Sequence, residues 1–133
     1  MDYLIDTDVA IHLRDGSPEI SARIAALDTI PAMSVVTLVE LQAGAAKDGS
    51  TGRVRAALVE ELRQTISVLI FQEAEADAYG KIVQATGHDR RRVLDRMIAA
   101  QAIVARRRLI TINRRDFADI QGLHLEVWDA PKV

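Results

Sequence analysis

Short apolar runs alternate along this chain with longer stretches whose apolar residues recur every three or four positions. The runs Tyr3–Asp6, Ala32–Ser34, Ser67–Ile70, Leu109–Ile112 and Glu126–Trp128 have the length and composition of strands. Between them the helical period predicts helices over Thr7–Leu13, Pro18–Leu27, Val36–Ala46, Gly52–Gln64, Glu73–Thr86 and Arg92–Arg107. Ser17 stands where it can cap the helix opened by Pro18, and Gly87 stands where the fifth helix must end. Gly44, Gly49 and Gly52 punctuate the turn between the third and fourth helices. Strands separated by helices imply right-handed crossovers and a parallel sheet. The expected fold is therefore an α/β, three-layer α/β/α sandwich around a central parallel sheet of four or five strands.

The 133 residues suit one compact domain, 1–133, and 49% of them are hydrophobic, enough for a sizeable core. No apolar run approaches the ~18 residues that span a bilayer, so no membrane association is expected. The opening Met1-Asp2-Tyr3-Leu4-Ile5-Asp6 is acidic and lacks the basic-then-apolar pattern of a signal peptide, and there is no cysteine. Disulfides, thiolate zinc sites and thiol catalysis are excluded, and a cytoplasmic location is expected. The net charge of −2 does not by itself favour a polyanionic partner. Of the 17 basic residues, however, 14 are arginine, and many cluster in Arg90-Arg91-Arg92, Arg106-Arg107-Arg108 and Arg114-Arg115. Such clusters are either a solvated, salt-bridged surface or local contacts to phosphate.

Four carboxylates sit where the core pattern does not ask for them. Asp6 ends the apolar strand Leu4-Ile5-Asp6, where it could also cap the helix that follows. Glu40 is the only charged residue between Asp28 and Lys47, on a helix apolar nearly all round and so expected to be largely buried. An ion pair with a distant arginine is its structural alternative. Asp95 falls within the inward stripe Leu94, Ile98, Ala102 and Ala105, on a helix whose Ala99 and Ala102 permit close approach to the sheet. It could also simply suit a helix N-terminus. Asp116 follows the strand Leu109–Ile112, where an acidic loop residue is ordinary. Taken together, two of these residues follow strands and two lie in the early turns of helices. In a parallel sheet, all four fall at the carboxyl edge, where sites form. Four carboxylates gathered there cannot all stay ionised without a cation. Oxygen donors without His or Cys suit Mg²⁺ or Mn²⁺, which can activate water against a phosphodiester. Thr7, Thr37, Thr111 and Asn113 are placed to orient the carboxylates or the water.

The same segments carry a family likeness. Leu4-Ile5-Asp6-Thr7-Asp8-Val9, Thr37-Leu38-Val39-Glu40-Leu41, Asp95-Arg96-Met97-Ile98-Ala99-Ala100 and Thr111-Ile112-Asn113-Arg114-Arg115-Asp116-Phe117 resemble the four blocks of PIN domains. The ending, from Gly122-Leu123 to Trp128, is similar to the VapC branch, the toxins of bacterial toxin–antitoxin pairs. The resemblance implies that Asp6, Glu40, Asp95 and Asp116 bind Mg²⁺ or Mn²⁺ and drive hydrolysis of RNA. It also implies a homodimer and a cognate antitoxin that buries a helix in an apolar groove and sets a basic side chain near the carboxylates. Asp8 departs mildly from the pattern, since asparagine is at least as familiar there; it adds charge or caps a helix. Arg114 and Arg115 are the residues expected to hold RNA phosphates.

Other chemistries fit less well. Asp6-Thr7-Asp8 after a strand resembles the nucleophile motif of haloacid-dehalogenase-like phosphatases, but that chemistry wants a well-placed lysine. Lys47, Lys81 and Lys132 are the only lysines, and none lies in a suitable motif. A phospho-receiver domain needs an acceptor Asp after the third strand, where Phe71-Gln72 stand instead. A PIN-like binding module without turnover is the remaining alternative, against which the intact acidic positions speak. His12, His88 and His124 lack ligand spacing and are read as surface or packing residues. Tyr3 and Trp128 are read as strand or core residues rather than base-stacking platforms.

Overall fold

Tyr3–Ile5 forms strand β1, and the chain passes at Asp6 straight into helix α1, Thr7–Arg14. A computed structural model describes residues 1–47 and 49–132. Helix α2 (Pro18–Ala25) opens with the Ser17 hydroxyl accepting from the Ile20 amide at 3.3 Å, and it stops two residues short of the expected Leu27. Strand β2 (Ala32–Ser34) runs into α3 (Val35–Lys47), where the Ser34 hydroxyl accepts from the Val36 amide at 2.8 Å. Helix α4 (Gly52–Thr65), strand β3 (Ser67–Leu69) and helix α5 (Glu73–Thr86) follow. Gly87 ends α5 with φ +86°, a conformation that costs glycine nothing. The last helix begins later than expected: Arg90–Arg92 form a 3₁₀ turn, and α6 spans Val93–Ala105. Strands β4 (Arg108–Thr111) and β5 (Leu125–Val127) complete the sheet, with a 3₁₀ turn at Arg114–Asp116 between them.

All five strands are parallel, in the order β3-β2-β1-β4-β5. The sheet therefore grows from β1 first to one side and then to the other. Beside β1, against β4, the connections leave in opposite directions and open a crevice at the carboxyl edge.

The two-residue period of the strands divides the core. Leu4, Ala32 and Leu109 face one side with Ile82, Ile98, Ala99, Ala102 and Phe117. Ile5, Met33 and Ile110 face the other with Val9, Ile20, Leu41, Val59 and Leu62. Helices thus cover both faces, giving the three-layer sandwich with five strands. Ala99, Ala100 and Ala102 are fully or almost fully buried, so small side chains do bring α6 close to the sheet. At Gly52 a Cβ atom would collide with the carbonyl oxygen of Ala45, so glycine lets α4 begin hard against the end of α3.

Two expectations about helix faces fail. Helix α3 buries only Val36, Thr37, Leu41 and Ala45, while Val39 is 62% exposed and Ala43 and Ala46 face outward. On α6, Ile98 and Ala102 are buried, but Leu94 and Ala105 are exposed and the polar Arg96 and Gln101 are buried instead. Gln101 has a reason to be inside. Its Nε2 donates to the carbonyls of Leu69 and Ile70 at 3.0 and 2.9 Å, pairing backbone groups where β3 ends.

A candidate active site at the carboxyl edge

Asp6 is placed by two local facts. The strand β1 ends before it, and the helix α1 begins after it, so its carboxylate caps the helix by accepting from the Val9 amide at 2.9 Å. The cap expected as its structural alternative is real, and it occupies only Oδ1. The other oxygen, Oδ2, accepts from the Thr111 hydroxyl at 2.6 Å, across the β1–β4 pair. Thr111 is held in turn, because its oxygen accepts from the Asn113 amide at 2.9 Å. Its proton is therefore directed at Asp6.

Glu40 reaches the same edge from the second turn of α3. Its Oε1 accepts from the Thr7 hydroxyl at 2.7 Å, and Thr7 and Thr37 lie 2.9 Å apart. Thr7 has one proton, which it gives to Glu40, so Thr37 must donate to Thr7. The two threonines form a short relay that fixes Glu40, in place of the arginine partner its sequence context allowed. Asn113 makes a different contact from the one expected: its side-chain amide donates to Asp8, not to one of the four carboxylates.

Asp95 lies half-buried in the first turn of α6, and Asp116 half-buried at the end of the 3₁₀ turn after β4. The carboxylates sense one another. Asp6, only 2% exposed, is pushed up to about 7, chiefly by burial and further by the charges of Asp8 and Asp95. The bonds from Thr111 and Val9 pull against that rise without cancelling it. Asp95 is pushed up to about 6, again first by burial, then by Asp116, Glu40 and Asp8. The charge of Arg92 opposes the rise. Asp6, Glu40, Asp95 and Asp116 are therefore brought to one end of the sheet, with Asp8 as a fifth acid. The sequence leaves Asp8 between added charge and a cap; its bond from Asn113 and its effect on Asp6 and Asp95 place it among the acids.

Among the described residues, none of these five acids has an ion-pair partner within 4 Å. No three carboxylate or imidazole groups there converge closely enough, as they stand, to enclose a metal ion. The donor chemistry nonetheless fits a hard divalent cation: only oxygens, more negative charge than the site can hold ionised, and hydroxyls that keep two of the carboxylates aimed. A cation would have to draw the carboxylates inward.

Arg114 and Arg115 are exposed on the 3₁₀ turn that carries Asp116. Two further residues at this edge are missed by the sequence pattern. Arg92 donates from Nη1 to the Arg115 carbonyl at 3.2 Å, and Arg96 is buried beside Asp95. In the sequence Arg92 stands out only as part of a cluster. An arginine inside an otherwise apolar helix face is the available signal for Arg96.

An α/β domain with acids gathered at the switch point of a parallel sheet is the class defined by fold and site. The chain belongs to the PIN-domain family, whose model matches residues 3–123. Its fold is similar to that of VapBC2 from Rickettsia felis bound to a DNA fragment from its promoter, with TM-score 0.85 over 97% of this chain and 100% of that one. At 23% identity that likeness speaks for the fold alone. DNA-bound VapBC from Salmonella typhimurium is similar at TM-score 0.83 and 27% identity, covering 96% of this chain and 98% of that one. VapBC-1 from nontypeable Haemophilus influenzae is similar at TM-score 0.80 and 28% identity, with the same coverage. No curated protein sequence matches the chain significantly.

Proposed function

We propose that this chain is a metal-dependent endoribonuclease and the toxin of a toxin–antitoxin pair. The observation that carries the reading is the acidic edge itself: Asp6 and Asp95, with Glu40 and Asp116, share one end of the sheet, and no cation of the described chain pairs with them. Membership of the PIN-domain family and the fold shared with VapBC complexes support it.

In this reading Asp6 and Asp95 are the chief holders of Mg²⁺ or Mn²⁺, and Glu40 and Asp116 complete the set. When bound, the ion supplies a Lewis acid for the phosphodiester and a means of activating water. The chain's own contribution is orientation. Thr111 aims Asp6, and Thr37 and Thr7 hold Glu40, so two of the four carboxylates are kept in fixed orientations. Arg114 and Arg115, on the turn that brings in Asp116, hold RNA phosphates against the repulsion of so many acids.

An antitoxin would need a surface of its own. An apolar groove of about 650 Å³ lies between α1, α2 and α4, lined by Leu13, Ile24, Leu27, Ile30, Leu58 and Leu62. It would accept the apolar face of an antitoxin helix. The residues before β2 and β3 line it, so it opens at the amino edge of the sheet, away from the acids. A homodimer acting in the cytoplasm completes the proposal; no helix among the described residues is long and apolar enough to cross a membrane. The phosphatase alternative finds no lysine at the acids: Lys47 ends α3, Lys81 lies within α5, and Lys132 follows β5.

The test is cleavage of a mixed cellular RNA pool with Mg²⁺ or Mn²⁺, comparing wild type, wild type with chelator, and Asp6→Ala purified identically. Discrete products from the metal-loaded wild type alone are expected. Equal cleavage by Asp6→Ala would mean a contaminant or a different site.

A further inference from the structure

Arg96 is a buried cation whose one ion-pair partner among the described residues is half exposed. Its side chain is 3% exposed, its shortest bond goes from Nη1 to the neutral Gly87 carbonyl at 2.6 Å, and its Nε has no partner. That partner, Asp119, pairs with Nη2 at 3.5 Å from a half-exposed position, so solvent screens much of the attraction. A buried charge in this condition is costly unless something negative completes its surroundings.

What lies above Arg96 is an open hollow of about 710 Å³ at the α5–α6 turn, lined by Gly87, His88, Asp89, Arg90, Arg91 and Arg92 together with Arg96 and Asp119. Four guanidinium groups thus face two carboxylates. Asp89 caps the 3₁₀ turn by accepting from the Arg91 amide at 3.0 Å and pairs with the Arg91 and Arg92 side chains at 3.4 and 3.6 Å. Arg90 has no ion-pair partner among the described residues. The N-terminus of α6 adds to the positive field, because Arg92 at its cap position offers no side-chain acceptor to the first amides.

The hollow adjoins the acids through the chain itself. Arg96 follows Asp95, and Arg92 grips the carbonyl of Arg115, the residue before Asp116. We infer that this basic hollow is a phosphate-binding subsite that holds the backbone of a single-stranded nucleic acid next to the group presented to the carboxylates. The inference rests on the nuclease reading for its ligand class. It assigns Arg90 and Arg91 as direct phosphate ligands and Arg96 as the buried charge beneath them. An acidic edge repels a polyanion, and a flanking cationic hollow offsets that repulsion at the neighbouring phosphate.

Binding without turnover tests it. The affinity of the full chain for a labelled single-stranded oligoribonucleotide is measured by fluorescence anisotropy in chelator across a salt series. The proteins compared are wild type, Arg90→Gln/Arg91→Gln, and, as control, Arg63→Gln on α4. Both replaced arginines are exposed, so the fold is expected to survive, and a matching melting temperature verifies it. The double variant should bind roughly five-fold more weakly at low salt, and its salt slope should fall by about 0.7 for each phosphate no longer neutralised. The control should match wild type. An unchanged affinity and slope in the double variant overturns the subsite, as does absence of binding by wild type. Cleavage of RNA by a double variant with an unchanged slope would leave the nuclease reading standing and remove the subsite. A reduced slope in the double variant, together with a wild type that cleaves nothing, would do the reverse.

Discussion

The Thr111 hydroxyl donates to Asp6 Oδ2 at 2.6 Å, tying the ends of two neighbouring strands that are 105 residues apart in the chain. The bond favours the ionised form of a carboxylate that burial would otherwise keep protonated. Thr111→Val removes the donor at nearly constant shape. It should destabilise the chain by about 1–2 kcal/mol and raise the proton affinity of Asp6 further. A carboxyl-carbon NMR titration comparing wild type and variant reads the second effect directly, and an unmoved Asp6 would deny the bond its role.

The raised values at Asp6 and Asp95 set the sign of the pH response. For each, the folded chain holds its proton to higher pH than the unfolded chain, whose carboxylates ionise near 3.8. The stability from these protonated groups is full below that value. It falls as pH rises, and is lost once pH passes about 6 for Asp95 and about 7 for Asp6. Metal-free protein should therefore lose more melting temperature between pH 4.5 and 7.5 than Asp6→Asn does. Asparagine keeps the helix cap while removing the charge, whereas Asp6→Ala also forfeits a cap of about 1 kcal/mol. Identical pH profiles for wild type and Asp6→Asn would show that Asp6 does not titrate in this range.

Metal should reverse that response. Divalent ions bind the ionised carboxylates, so Mn²⁺ or Mg²⁺ should raise the melting temperature, and more at pH 8 than at pH 5.5. Asp95→Asn should abolish at least half of the shift, as followed by differential scanning fluorimetry. An Asp95→Asn protein that keeps the full shift would place the ion elsewhere.

Gln101 offers a prediction independent of catalysis. Gln101→Leu fits an apolar site but strands the carbonyls of Leu69 and Ile70, each of which loses its side-chain donor. The cost should be about 2 kcal/mol, seen as a lower urea midpoint with an unchanged denaturant slope. A neutral substitution would mean that water replaces the amide at both carbonyls.

Much of this molecule could be read along the chain because its signals are local and periodic. The alternation of apolar runs with helical repeats determined the α/β class, the parallel strands and nearly every element, because burial of one face imposes its period on the sequence. Glu40 and Asp95 stood out because a charge inside an apolar pattern is costly and asks for a reason, and Asp6 and Asp116 joined them because each follows a strand of a parallel sheet. What the sequence could not determine was which neighbours each element would meet. The strand order puts β4 beside β1, and only that places Thr111 on Asp6. Thr7 reached Glu40, and Asn113 turned to Asp8, because contacts between distant segments depend on the crossing of α1, α3 and β4. Helix faces failed for the same reason. Val39 and Leu94 are apolar yet face outward, while Arg96 and Gln101 lie inside, where the Gly87 carbonyl meets Arg96 Nη1 and the Leu69 and Ile70 carbonyls meet Gln101 Nε2. Periodicity states which side of a helix is apolar; burial depends on whether another element covers that side.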